Sequence, residues 1–135
     1  MGEPTYYVLA GNTPVLVHNA NCRLSAAERA RDQAGLKPDG TPSCESPVYV
    51  GGYDAEGNVI GTGNGPRGSG VHAEDIIQQR MPGAQMTEPY AWRRNKVTGE
   101  LEWRPHTVCP RCQGNYPPSL FPPGTRGESG GVWGD

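Results

Sequence analysis

The chemistry-bearing residues of this chain fall into two short motifs, His72-Ala73-Glu74 and Cys109-Pro110-Arg111-Cys112. An imidazole and two thiolates are a donor set that tetrahedral zinc prefers, and three protein ligands leave the fourth position to water. Glu74, two residues after the histidine, is then the unspent group. It can face such a water and carry protons instead of binding the metal. The alternative is a closed structural site, with His106 or another cysteine as fourth ligand and no chemistry. His106 lies three residues before Cys109 at the end of an expected strand, where it either joins the metal or lines the pocket. A purely structural site has no use for a carboxylate beside its histidine.

The elements that must bring the motifs together can be read from pattern and punctuation. Val71 to Met81 carries Ile76, Ile77 and Met81 on one side and stops at Pro82-Gly83, so His72 and Glu74 belong to the first turn of a helix. Pro47 to Asp54 and Asn58 to Thr62 are β-rich runs joined at Ala55-Glu56-Gly57, a hairpin. Met86 to Asn95 and Leu101 to Val108 form a second one around Lys96-Val97-Thr98-Gly99, and its second arm leads into Cys109. Pro110, just past that cysteine, suits the first turn of a short helix that Pro117-Pro118 ends. Ser25 to Gly35 has a serine cap, a glutamate three residues later and a closing glycine, which predicts a further helix. The glycine-rich Gly61 to Gly70 lacks a following Gly-Lys-Ser or Gly-Lys-Thr and fits no nucleotide fingerprint, so it is expected to form a flexible lip beside the metal.

The two motifs, over residues 45 to 120, resemble the H-x-E and C-x-x-C signature of the zinc-dependent nucleobase deaminases. The resemblance implies an α/β fold, the cytidine deaminase-like three-layer α/β/α sandwich. It implies zinc on His72, Cys109 and Cys112, with Glu74 as the catalytic acid and base. Two departures stand out. Val108 occupies the place where the signature carries proline, which puts in doubt the backbone shape against the substrate base. Gln113 to Asp135 also offers little material for the strand and helix units that usually follow, so a reduced mixed sheet is expected.

Thr5 to Val17 reads as two short strands around Gly11-Asn12-Thr13-Pro14, followed by His18-Asn19. This resembles the C-terminal end of Hint domains, the intein-like modules that precede toxin domains in bacterial polymorphic toxins. The resemblance implies cleavage after Asn19 with help from His18, a Hint remnant at 1–19 and a toxin deaminase domain at 20–135. An ordinary leading hairpin is the alternative. The toxin context implies a secreted domain delivered into the cytoplasm of a target bacterium, and a cognate immunity protein over the active site.

Composition narrows the partners. With 135 residues, 20 glycines and 14 prolines, the chain can bury one core and leaves much of itself in loops. A formal charge of −2 gives no global basic signal, so nucleic-acid binding must rest on a local patch. No apolar run reaches the roughly 20 residues of a membrane span, and the start lacks the pattern of a signal peptide. Cys22 and Cys44 are expected to be reduced thiols. Between Met86 and Cys112, five cations meet three acids. Tyr90, Trp92, Arg93, Arg94, Trp103, Arg104 and Arg111 there interleave rings with charge, as stacking and phosphate contact with unpaired strands demand. Cross-strand pairs that merely stabilise the hairpin are the other account. Taken with these features, the resemblance implies zinc-dependent deamination of cytosine to uracil in nucleic acid, single-stranded DNA above all, by a monomer. The alternatives are a free nucleoside or nucleotide deaminase, an RNA deaminase, and a non-catalytic zinc-binding module.

Overall fold

The structure, a computed structural model, describes residues 14–127, with side chains from residue 22 onward. Helix α1 spans Pro14–Ala34, the hairpin β1–β2 spans Tyr49–Tyr53 and Val59–Gly63, and α2 spans Ala73–Arg80. After the short β3 (Gln85–Met86) come a second hairpin, β4–β5 (Tyr90–Arg94 and Leu101–Pro105), then α3 (Pro110–Asn115) and a 3-10 turn at Pro118–Leu120. The strands form one five-stranded sheet in the order β2-β1-β4-β5, with β3 also paired to β1. No described helix is long and apolar enough to cross a membrane.

Glycines in β1 place the layers. A Cβ built on Gly51 would lie 2.1 Å from the carbonyl oxygen of Ala27 in α1, whereas one on Gly52 would lie 2.6 Å from Ile77 in α2. Successive strand residues point to opposite faces, so α1 and α2 cover opposite faces of the sheet. Gly61, paired with Gly51, likewise faces the backbone of α1 at Ala30, 2.0 Å from a built Cβ. Alanines on the helix and glycines on the strands let two backbones touch. On the other face Val50, Ala73, Ile77, Met86, Val108, Cys112 and Phe121 form the buried core.

Several expectations need correction. All strand pairs are antiparallel, so the mixed sheet does not form; among described residues the parallel contact is an isolated bridge, Val108 with Gly127. The physical reason is the short turn after β4, which can return the chain only as an antiparallel neighbour. The run Met86 to Asn95 is not one strand. Pro89 has no N–H for the ladder, and four steps from Met86 to Tyr90 face three from Gly52 to Tyr49, a bulge. Thr87 Oγ1 takes the Gly51 N–H at 2.9 Å in its place.

The N-terminal expectation fares differently in its two parts. Thr5 to Thr13 lies outside the described residues, while residues 15–19 are helical instead of forming the second arm of a hairpin. No proline or glycine interrupts residues 15–34, so the helix runs back past Ser25 to Pro14, a residue suited to a first helical position. After Gly124 the chain returns to the core: Thr125 and Gly127 are buried, and the Val108 N–H donates to the Arg126 carbonyl at 2.8 Å. Trp133 lies outside the described residues.

The α1 contact gives the first prediction. Gly61→Ala should destabilise the protein by about 1 to 3 kcal/mol in urea unfolding, because its methyl group meets helix backbone that cannot rotate aside. Wild-type stability in that variant would show that α1 does not lie on β2 as described.

Candidate metal centre

Two helix starts converge at one end of the core. His72 is the residue before α2 and Cys109 the residue before α3, both with extended backbone, and Pro110 occupies the first helical position of α3. Cys112 follows one turn later and is fully buried. His72 Nδ1 lies 3.5 Å from Cys109 Sγ and 3.4 Å from Cys112 Sγ. The ligand atoms of all three lie within 4.8 Å of one another and could hold a metal ion. His106 does not join them. It is half-buried, its Nδ1 is 2.8 Å from the Thr107 carbonyl, and it lines a recess of about 160 Å³ with Pro47, Val48, Asn64, His72 and Glu74.

Glu74 is the electrostatic anomaly of the site. It is 3% exposed, and its Oε1 is the one fully buried side-chain polar atom without a hydrogen-bond partner among the described residues. Burial pushes its carboxyl above the usual range, against the opposing pull of its backbone N–H and His72. Burial, Glu74 and Cys109 likewise push the Cys112 thiol well above its ordinary value. A bound cation would reverse that balance, since a coordinating thiol is deprotonated outright.

Asp75 is a residue whose importance the sequence did not disclose. Its Oδ2 accepts from the His72 N–H at 2.9 Å and from Arg111 Nη1 at 2.9 Å, and its Oδ1 accepts from the Tyr116 hydroxyl. Burial alone would raise its carboxyl; the hydrogen bonds from Tyr116, His72 and Arg111 outweigh that and hold it low. One carboxylate thus ties the start of α2 to both ends of α3, and with it the histidine to the cysteines. A capping-box partner at the third helical position is the pattern that could have revealed the first of these bonds.

The other predicted contacts divide. Arg111 serves Asp75. Trp103 packs against Gly35 and lies 4.9 to 5.8 Å from Trp92, Tyr90 and Tyr49, while its Nε1 donates to Asp32 at 2.9 Å. Tyr90 lies under the Arg31 guanidinium, 4.0 Å from its ring centre. Trp92 donates to the Gly35 carbonyl at 2.7 Å, yet stays half-exposed and lines a second cavity with His72. Arg93 is exposed opposite Glu102, Arg94 reaches the Gly99 carbonyl, and Arg104 pairs with Glu102. The aromatic hairpin is therefore stapled to α1, with its cations spread over its outside. Cys22 and Cys44 are exposed and unpaired.

No protein family, curated protein or solved structure matches the chain.

Purified protein should carry one equivalent of divalent metal by elemental analysis, and Cys112→Ser should lose it; full retention in that variant would remove Cys112 from the ligand set. The clamp makes a separate prediction. Tyr116→Phe should shed metal to a chelator about tenfold faster than wild type, since the groups that orient ligands are typically worth 10- to 100-fold in affinity. An unchanged rate would mean that Asp75 holds the helices without help from Tyr116.

Proposed function

We propose that this chain is a zinc-dependent cytosine deaminase of the cytidine deaminase-like fold, acting on single-stranded nucleic acid, with DNA favoured. The observation that carries the reading is the orphaned Oε1 of buried Glu74 beside a three-ligand cluster. Leaving a buried carboxylate oxygen without a partner is costly. Such a cost is expected where a group must exchange protons during a reaction.

The donor set fits zinc. With Zn–S near 2.3 Å and Zn–N near 2.0 to 2.1 Å, tetrahedral ligands stand about 3.6 Å apart, and the nitrogen-to-sulfur distances are 3.4 and 3.5 Å. Zinc there would supply a water acidified toward neutral pH. Among the described residues no fourth side chain joins the cluster, which favours an open site over a structural knuckle. Glu74 would then take a proton from the attacking water at Oε1 and pass it to the base nitrogen, and afterwards take the proton of the newly added hydroxyl and pass it to the amino group, which leaves as ammonia. Its raised affinity for protons suits both transfers.

The recess supports the choice of base. At about 160 Å³ and lined by His72, Glu74 and His106, it has room for one pyrimidine ring beside the cluster. Extruding a base from a duplex costs a few kcal/mol, which favours unpaired substrate. Helices on both faces of one sheet supply the α/β/α layering that the reading calls for, here with every strand pair antiparallel. The wider setting, a toxin domain behind a Hint remnant at 1–19, countered by an immunity protein and delivered into a bacterial cytoplasm, rests on the sequence resemblance.

Glu74→Gln is the decisive variant. It should keep its metal and fold while uracil formation on a cytosine-containing oligonucleotide falls by at least 10² to 10⁴. Near wild-type turnover in that variant would refute the proposed acid-base role.

A further inference from the structure

The glycine-rich segment before His72 is a built turn. Gly65 N–H donates to the Val71 carbonyl at 2.9 Å and Ser69 N–H to the Pro66 carbonyl at 3.0 Å, closing Pro66-Arg67-Gly68-Ser69. Gly68 has φ +86, the left-handed conformation that the third position of such a turn requires. Asn64 anchors the base of the loop, accepting the Ala73 N–H at 2.9 Å and donating its own backbone N–H to Ser46 Oγ at 2.8 Å. The construction presents Arg67 at the apex.

Arg67 lines a cleft of about 510 Å³ that also reaches His72 and Trp92. Its guanidinium is exposed and has no ion pair or hydrogen bond among the described residues. Arg104 and Arg111, by contrast, are held by Glu102 and Asp75. Glu45 also lines the cleft, so an anion there is drawn to Arg67 and repelled by that carboxylate. Because His72 lines both this cleft and the 160 Å³ recess, a base in the recess would be joined to a neighbour in the cleft.

We propose that this cleft holds the nucleotide adjoining the reacting cytosine, its phosphodiester on Arg67 and its base toward the half-exposed Trp92. The inference rests on the deaminase reading and deepens it: the strand runs past the Pro66–Ser69 turn, not along the outside of the β4–β5 hairpin.

The test is binding of a labelled single-stranded DNA oligonucleotide containing one cytosine, in the Glu74→Gln background, over a salt series. Arg67→Gln should lower the slope of log affinity against log salt by about 0.7 and weaken binding about fivefold at 0.1 M salt, the signature of one lost phosphate contact on a single strand. Arg67→Lys should retain most of the slope, and Arg80→Gln, on the far end of α2, should change neither quantity. An unchanged slope in Arg67→Gln overturns the proposal, as does a loss carried by Arg93→Gln and Arg94→Gln alone. If dCMP competes as strongly as the oligonucleotide, a free nucleotide is the occupant and the strand assignment falls. A chain that converts the oligonucleotide to its uracil form but ignores Arg67→Gln defeats only this inference; a chain that forms no uracil defeats the deaminase reading itself.

Discussion

Everything at the site depends on holding two helix starts together that lie 37 residues apart in sequence at His72 and Cys109. Three donors converge there with a buried carboxylate, and neither thiols nor carboxylate gain from burial alone. The separation is fixed mechanically by Asp75, which takes hydrogen bonds from both helices, and by packing of Ala73, Ile77, Val108 and Cys112 in one core. An ionised side chain with three donors is a stiff link because each bond is charge-assisted. The carboxylate of Asp75 is satisfied so that the carboxylate of Glu74 can remain unsatisfied.

The departure of Val108 from the deaminase pattern has a physical account. Proline there could not donate, whereas Val108 N–H binds the Arg126 carbonyl and its own carbonyl accepts from Gln113 Nε2 at 2.7 Å. The returning segment Thr125–Gly127 therefore pairs with the residue just before Cys109. Buried Thr125 and Gly127 thus belong to the segment braced against the start of α3.

Much of the centre was legible in the sequence because ligand chemistry is local: His72, Glu74, Cys109 and Cys112 declare themselves by type and spacing, and glycine and proline mark the turns between them. The first hairpin was legible for the same reason. What stayed hidden depends on partners distant in the chain. Trp92 and Trp103 read as substrate contacts, and the sequence did not show that their indole N–H groups also meet Gly35 and Asp32, 57 and 71 residues away. The bulge at Thr87–Pro89 needed the register of β1, and the clamp role of Asp75 needed Arg111 and Tyr116. The extent of α1 was missed because Ser25 offers a convincing cap that a longer helix ignores.

The bridge between Val108 and the last described residues also sets an order of assembly. Synthesis makes His72 and Glu74 before the cysteines, and the strip that braces Val108 only when Arg126 has been added. A ribosome-bound intermediate can build the β1–β2 hairpin and α2 while Cys109, Cys112 and their backing are still missing. A metal taken up by this cluster would therefore be captured late, once Cys109 and Cys112 have joined His72, and not when the helix that follows the histidine forms.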